Sequence, residues 1–239
     1  MYLQITNYCN MSCPHCCYSA TRKKSESKFM TMETVRSAMQ WYFRPAEVGR
    51  IWHPDIGGGE PTCHPLFWDI LLYVLDRWNE TGNSSLVWMV TNGKLRQRAL
   101  QLADMARRGL LRVGLSQDEW HDPVSPEVVQ AFRKDPVNSQ DKRFFQNVGK
   151  RLPPIRSGRC DWGLPDCNGW GRPWVLPDGS VRQCGCLDAP IVGNVFDGFH
   201  PINNRWDCFA GRPHHGGEQI QFDMWGRKIQ DAPVVDEKI

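Results

Sequence analysis

The alternation of strand-like and helix-like stretches along the first 135 residues constrains the fold more than any other feature of the sequence. Each short strand-like stretch is followed by a longer one whose apolar side chains recur at helical spacing. Strands that alternate with helices in this way form βαβ units, in which successive strands run parallel. The sequence therefore predicts an α/β fold with a parallel sheet.

The predicted elements can be placed residue by residue. The strands are Tyr2–Thr6, Arg50–Ile56, Ser85–Val90 and Leu111–Leu115, and the helices are Thr31–Phe43, Pro65–Asn79, Leu95–Arg108 and Ser125–Lys134. Thr31 and Ser125 can cap their helices, and Gly109 can end the third one. Functional residues of parallel sheets gather at the carboxyl ends of the strands, so the loops after these four strands are the places to search.

The second part of the chain differs from the first in composition and in hydrophobic periodicity. Residues 136–173 are rich in Pro, Gly and Arg and show little periodicity. Two short strands, Trp174–Leu176 and Val181–Gln183, flank the turn Pro177-Asp178-Gly179 and predict a hairpin. We therefore expect a core domain at 1–150 and a smaller module at 151–239.

Composition excludes several classes of protein. With 41% hydrophobic and 23% charged residues, the chain is neither disordered nor fibrous. No run approaches the roughly 18 apolar residues of a membrane span, and residues 1–6 lack the pattern of a signal peptide. We expect no membrane association and a cytoplasmic protein. A net charge of +3 neither requires nor forbids a nucleic-acid partner.

Nine of the ten cysteines fall into two groups, four at positions 9–17 and five between 160 and 208, which suggests two sites. In a reducing cytosol such clusters bind metal or do chemistry more often than they form disulfides. Cys9, Cys13 and Cys16 have CxxxCxxC spacing directly after the first strand. Three thiolates can hold three irons of a cubane cluster and leave the fourth open, or they can bind zinc with one further ligand.

The loop Gly57–Pro61 follows the second strand. Its glycines allow the backbone to approach a ligand closely, and Glu60 can accept hydrogen bonds from an ammonium group. A tight strand-to-helix turn is the alternative explanation. Thr91-Asn92-Gly93 follows the third strand, and Ser116–Asp122 follows the fourth.

Taken together, these four segments resemble the radical S-adenosylmethionine (SAM) superfamily. Residues 9–16 resemble its cluster motif and Gly57–Pro61 its GGEP motif, and the resemblance covers roughly residues 1–135. It implies a partial (β/α)6 TIM-like barrel and a 4Fe–4S cluster on Cys9, Cys13 and Cys16 whose fourth iron binds SAM. It also implies reductive cleavage of SAM to a 5′-deoxyadenosyl radical, with electrons from a small donor such as flavodoxin or ferredoxin.

The resemblance assigns further roles residue by residue. The candidate contacts of SAM are Gly58, Gly59, Glu60, Pro61, Thr91, Asn92, Ser116 and Asp118. Asp118 and His121 are candidates for orienting a substrate, with a role in entering the next helix as the alternative. His15 stands where the family often has an aromatic residue.

The second cysteine group resembles the start of the twitch and SPASM modules that follow such barrels. The pattern is C-x11-G-x4-C from Cys167 to Cys184, with the predicted hairpin between them. This resemblance implies a small α+β module with an auxiliary Fe–S cluster on Cys167, Cys184, Cys208 and either Cys160 or Cys186. A structural zinc and unliganded buried cysteines remain alternatives.

Three functions are compatible with these patterns. The first is hydrogen abstraction from an amino-acid-like or peptide substrate, leading to oxidation, epimerisation, cross-linking or isomerisation. The second is modification of an amino-acid-bearing nucleobase, for example in phage DNA, for which the basic residues between Lys142 and Arg159 are the support. The third is a non-catalytic Fe–S or zinc binding module, against which the Gly57–Pro61 loop argues.

Overall fold

A computed structural model describes residues 1–42, 53–118, 120–133, 144–148, 173–185, 187 and 189–199. The strands are β1 (Tyr2–Thr6), β2 (Asp55–Gly58), β3 (Trp88–Thr91), β4 (Arg112–Gln117), β5 (Phe144–Val148), β6 (Trp174–Val175), β7 (Ser180–Arg182), β8 (Ile191–Asn194) and β9 (Gly198–Phe199). The helices are α1 (Met32–Tyr42), α2 (Phe67–Asn79), α3 (Arg96–Arg107) and α4 (Pro126–Ala131), with 3-10 turns at Lys24–Glu26 and Pro61–Cys63.

These strands form one sheet in the order β5-β4-β3-β2-β1-β6-β7-β8-β9. Strands β1 to β5 pair in parallel with their neighbours, and β6 pairs in parallel with the other edge of β1. The remaining strands are antiparallel. The prediction of an α/β fold with a parallel sheet is confirmed, while closure into a partial barrel stays a prediction.

The helix boundaries follow local chemistry. The Thr31 side chain accepts a hydrogen bond from Thr34 N (3.1 Å), so Thr31 caps α1 as predicted. Gly109 takes a φ of +76° just after α3, which confirms it as the residue that ends this helix. Ser125 occupies the N-cap position of α4, but its side chain makes no capping bond. Ser125 is thus the N-cap residue as predicted, but it caps α4 through its backbone carbonyl, which accepts from Val128 N and Val129 N.

Two strands differ from their predictions. The second strand begins at Asp55 and continues through Gly57 and Gly58, beyond the predicted end at Ile56, and residues 50–52 lie outside the described part. Strand β5 was not predicted, yet it pairs along its whole length with β4. Its sequence, FFQNV, lies in a stretch without clear periodicity, so tertiary pairing decides its conformation.

The apolar core lies between the sheet and its helices. Leu3 and Ile5 of β1 alternate with residues of the opposite face and share the core with Val35 and Met39 of α1. Helix α2 buries six side chains at helical spacing: Phe67, Ile70, Leu71, Val74, Leu75 and Trp78. Burying each large side chain contributes about 1.5–3 kcal/mol, so this layer holds α2 against the sheet. None of the described helices combines the length and apolar character that crossing a membrane requires.

The predicted hairpin is present and packs on the first strand. Strands β6 and β7 pair Trp174 with Arg182, and Gly179 in the turn has a φ of +85°. The Trp174 ring stacks on Tyr2 with ring centroids 3.6 Å apart, and its indole N–H donates to Gln4 Oε1 (2.9 Å). The hairpin thus extends the same sheet. The boundary predicted near residue 150 lies outside the described residues.

Candidate functional site

The first cysteine group lies on the loop after β1, at the carboxyl end of the sheet. Cys9 N donates to the Thr21 carbonyl (2.9 Å), and Thr21 N donates to the Asn7 carbonyl (2.9 Å), which ties the ends of the loop together. The three cysteines of the motif pack in one small cluster with three apolar neighbours: Cys9, Cys13, Cys16, Met11, Ala20 and Val124. The fold therefore brings together the three thiols that the motif predicts.

The surroundings of these thiols show what kind of group would suit them. Burial raises the pKa of Cys9 to about 12 and that of Cys13 to about 11, and neighbouring ionisable groups add to the rise. Backbone N–H groups point at two of the sulfurs, with Met11 N 3.3 Å from Cys9 Sγ and Ala20 N 3.5 Å from Cys16 Sγ. Because three neighbouring thiolates repel one another, these cysteines suit a positively charged centre of soft metal ions, such as the irons of an Fe–S cluster.

The glycine loop lies directly against the cysteine loop. Gly59 N donates to the Thr6 carbonyl and Glu60 N to the Tyr8 carbonyl, both at 2.8 Å. A Cβ on Gly58 would lie 2.2 Å from the Thr6 carbonyl oxygen at a φ of +126°, and one on Gly59 would lie 2.2 Å from the Tyr8 carbonyl oxygen. Close packing of two backbones therefore requires both glycines, and their contact with SAM stays a prediction.

The Glu60 side chain is 1% exposed and lies at the centre of a hydrogen-bond network. Its Oε1 accepts from Thr62 N (3.1 Å), Thr62 Oγ1 (2.5 Å) and Thr91 Oγ1 (2.8 Å), and its Oε2 accepts from Asn92 N (2.7 Å). Burial raises the pKa of Glu60, although these donors favour the carboxylate. Among the described donors Oε2 has only Asn92 N, so it retains a lone pair for a further donor such as an ammonium group.

Asn92 joins this network to the cysteines. Its side-chain amide donates to Asn10 Oδ1 (2.8 Å) and lies 3.6 Å from Cys9 Sγ. Pro61, also predicted as part of the site, is buried at the start of the 3-10 turn that follows Glu60. The structure thus brings the ends of β2 and β3 to the cysteine loop.

A second group of polar side chains follows β4. Asp118 Oδ1 accepts from Trp120 N (2.9 Å), His121 N (3.2 Å) and His121 Nδ1 (2.7 Å). Burial alone would raise the pKa of Asp118, but these hydrogen bonds lower it, so the side chain is a carboxylate. Ser116 lies half-buried within β4, paired in register with Asn147. The roles of Ser116 and Asp118 as contacts of SAM remain predictions.

Sequence reasoning missed the contact between His15 and this second group. His15 Nε2 lies 3.5 Å from Asp118 Oδ2, and the His15 ring has its centroid 5.0 Å from those of Trp120 and His121. Spacing along the chain gives no signal for this contact, because the two segments meet only when β1 and β4 take their places in the sheet.

The second cysteine group is described in one position only. Cys184 is half-buried just after β7, on the limb of the hairpin where the motif predicts it. The other candidate ligands lie outside the described residues: Cys160, Cys167, Cys186 and Cys208. The basic residues between Lys142 and Arg159 lie outside them as well. The auxiliary cluster therefore stays a prediction.

His64 has a structural role beside the site and gives a prediction about pH. Its Nδ1 accepts from Leu66 N (2.9 Å), so its Nε2 must carry the proton that it donates to the Met30 carbonyl (3.1 Å). Burial lowers its pKa from 6.5 to about 4. The folded state resists protonation of His64, so its contribution to stability is present above pH 6.5 and is lost as the pH falls toward 4.

We expect the free energy of unfolding to fall by about 1.4 kcal/mol per pH unit as the pH falls from 6.5 toward 4. Urea unfolding of the reduced, metal-free chain at several pH values between 7 and 4.5 measures it. His64→Asn should be less stable at pH 7 but should show a shallower dependence on pH. An unchanged slope in this variant would show that other groups cause the dependence.

Comparisons with known proteins agree with this geometry. The sequence model of the Radical SAM superfamily matches residues 3–144. No curated protein sequence gives a significant match. The structure is similar to BtrN in complex with AdoMet and 2-DOIA, with a TM-score of 0.54 and 17% identity over 87% of this chain and 82% of BtrN. It is also similar to anSMEcpe with bound AdoMet, with a TM-score of 0.53 and 19% identity over 87% and 80% of the two chains.

Proposed function

The chain belongs to the radical SAM superfamily, and from that premise we propose that it removes a hydrogen atom from an amino-acid-like or peptide substrate. Membership supports radical chemistry that begins with cleavage of SAM. The resulting net reaction, an oxidation, epimerisation, cross-link or isomerisation, belongs to the proposal. A small reductant such as flavodoxin or ferredoxin, acting as electron donor, also belongs to the proposal.

The observation that carries the proposal is the contact between the cysteine loop and the Glu60 network. Cys9 lies in the packed cluster with Cys13 and Cys16, and the Asn92 side chain links it to the residues around Glu60. A zinc site on the same cysteines needs no buried carboxylate on the neighbouring strand end. A site that must hold both an Fe–S cluster and the amino group of SAM does need one.

The residues of the chain have distinct tasks in this proposal. Cys9, Cys13 and Cys16 hold the 4Fe–4S cluster, which when bound supplies the electron that cleaves SAM to methionine and a 5′-deoxyadenosyl radical. Glu60 Oε2 accepts a hydrogen bond from the SAM ammonium group, and Asn92 N keeps this oxygen oriented. Asp118, just after β4, lies beside His15 of the cysteine loop, and in this proposal Ser116 and Asp118 contact SAM or the substrate.

The substrate class rests on the resemblance of the C-terminal hairpin to twitch and SPASM modules. BtrN was solved with 2-DOIA, but the identity of 17% indicates a shared fold rather than a shared substrate. The Asp118 carboxylate places a negative charge near Cys13, where an ammonium group of a substrate or a bound cation would be held. The described residues give no comparable observation in favour of DNA.

Anaerobic reconstitution tests the proposal. The measurements are iron and sulfide per chain and the formation of 5′-deoxyadenosine from SAM with dithionite. About eight irons per chain with 5′-deoxyadenosine indicate two 4Fe–4S clusters and SAM cleavage. About four irons with 5′-deoxyadenosine indicate SAM cleavage by a single cluster and exclude the auxiliary cluster. An intact cluster without any 5′-deoxyadenosine would exclude the enzyme and favour a binding module.

If the auxiliary cluster is present, replacing Cys184 tests the second cysteine group independently of the first. Cys184→Ala should lower the iron content by about four atoms per chain and abolish substrate turnover, because one ligand of the second cluster is lost. Uncoupled cleavage of SAM should continue, since the first cysteine group is untouched. Iron analysis beside the 5′-deoxyadenosine assay checks this prediction. An unchanged iron content would rule out Cys184 as a ligand.

A further inference from the structure

Three side chains with metal-binding atoms meet beside the cysteine loop. His15 comes from that loop, whereas Asp118 and His121 come from the segment after β4. One ligand atom from each residue lies within 4.8 Å of the other two. Each of these side chains is only partly exposed, at 17%, 18% and 12% respectively, so none of them lies free on the surface.

The distances between these atoms are close to those of a coordination sphere. Tetrahedral zinc with metal–nitrogen and metal–oxygen bonds of about 2.0–2.1 Å places its ligand atoms about 3.3 Å apart. Here Asp118 Oδ2 lies 3.5 Å from His15 Nε2, and Asp118 Oδ1 lies 2.7 Å from His121 Nδ1. The first separation is close to the ideal value. The second is a hydrogen bond, so a bound metal ion would displace the proton between Asp118 Oδ1 and His121 Nδ1.

The hydrogen bonds among His15, Asp118 and His121 do not use all of the metal-binding atoms of these side chains. The three donors from Trp120 and His121 all converge on Asp118 Oδ1, whereas Asp118 Oδ2 faces only His15. The other ring nitrogen of His15, Nδ1, is buried without a hydrogen-bond partner among the described residues. A cluster that served only to shape the turn after β4 would not need His15.

We propose that His15, Asp118 and His121 form a binding site for one divalent transition-metal ion, either zinc or ferrous iron. Two imidazoles and one carboxylate suit both ions. Three protein ligands leave at least one coordination position for water or for a donor atom of a bound molecule. The site is distinct from that of the three cysteines, because it contains no sulfur ligand.

The absence of sulfur gives the experiment its readout. The full-length chain, with its Fe–S clusters reconstituted, is titrated anaerobically with Co²⁺ as a spectroscopic substitute for zinc. High-spin Co²⁺ bound through nitrogen and oxygen is followed by its EPR signal, because the visible absorbance of the Fe–S clusters hides its weak bands and oxidised 4Fe–4S clusters are diamagnetic. We expect one equivalent of sulfur-free Co²⁺ per chain, displaced by one equivalent of Zn²⁺.

The variants are chosen to separate binding from folding. His121→Gln removes an imidazole, and we expect it to weaken Co²⁺ binding by about 100-fold or more, since even partners outside the ligand shell change metal affinity by about 10- to 100-fold. His15→Gln should do the same. Asp122→Asn is the matched control, because Asp122 is the neighbouring carboxylate but pairs with Lys94 (3.0 Å) and not with the cluster.

Two outcomes would overturn the proposal. One is the absence of a sulfur-free equivalent of Co²⁺ in the wild-type chain. The other is equal affinity in His121→Gln and wild type, with both shown to be folded by their thermal unfolding. The 5′-deoxyadenosine assay is not used here, so this site can fail while the proposed function stands.

Discussion

Replacing Cys13 with alanine should abolish formation of 5′-deoxyadenosine. Cys13 supplies one of three thiols that the fold packs together after β1, and the remaining pair cannot hold three irons of a cubane cluster. We expect a loss of activity of about 100-fold or more, since even indirect partners of a metal ligand cost about 10- to 100-fold. The measurement is 5′-deoxyadenosine formed from SAM with dithionite, beside iron content and the cluster absorbance.

Cys17→Ala is the matched control for this experiment. Cys17 is a neighbouring cysteine on the same loop and is also partly exposed, but it lies outside the CxxxCxxC spacing. The control variant should keep the first cluster and its activity. Full activity in Cys13→Ala, or equal losses in both variants, would contradict the assignment of the first site.

The order of strands and helices along the chain could be predicted because its signal is local. Helical spacing in Pro65–Asn79 and the caps at Thr31 and Gly109 act within a few residues, so the sequence shows them directly. The match of cysteines and glycine loop to successive strand ends also follows from chain order. Strand β5 was missed because its pairing with β4 is a tertiary contact, and no local sequence pattern indicates it.

The site shows the same division between local and distant signals. The CxxxCxxC spacing predicts three thiols on one loop, and the structure brings them together. The structure adds a second reason for the glycines beside the one that the motif suggested. Gly58 and Gly59 are required where the backbone meets Thr6 and Tyr8, whether or not a ligand is bound. The contact of His15 with Asp118 could not be predicted, because it depends on two loops meeting across the sheet.

Replacing Glu60 with glutamine should weaken SAM binding and also destabilise the fold, and the two effects can be measured separately. The Glu60 carboxylate accepts four hydrogen bonds, and glutamine presents an NH₂ group in place of one oxygen. If the amide takes the position of Oε2, the N–H of Asn92 faces another donor and loses its acceptor. A buried unsatisfied donor costs about 1–3 kcal/mol, and a lost ammonium contact weakens SAM binding by about tenfold to 100-fold.

Thermal unfolding with and without SAM distinguishes the two effects. A purely structural Glu60 would lower the unfolding temperature of the ligand-free chain but leave the upward shift caused by SAM unchanged. A Glu60 that contacts SAM also reduces that shift, because stabilisation by a ligand grows with the ratio of its concentration to Kd. Glu127→Gln is the control, since Glu127 is exposed and pairs with Arg96 on the surface. We expect the shift to shrink in Glu60→Gln and to persist in Glu127→Gln; a full shift in both would show that Glu60 only supports the loop.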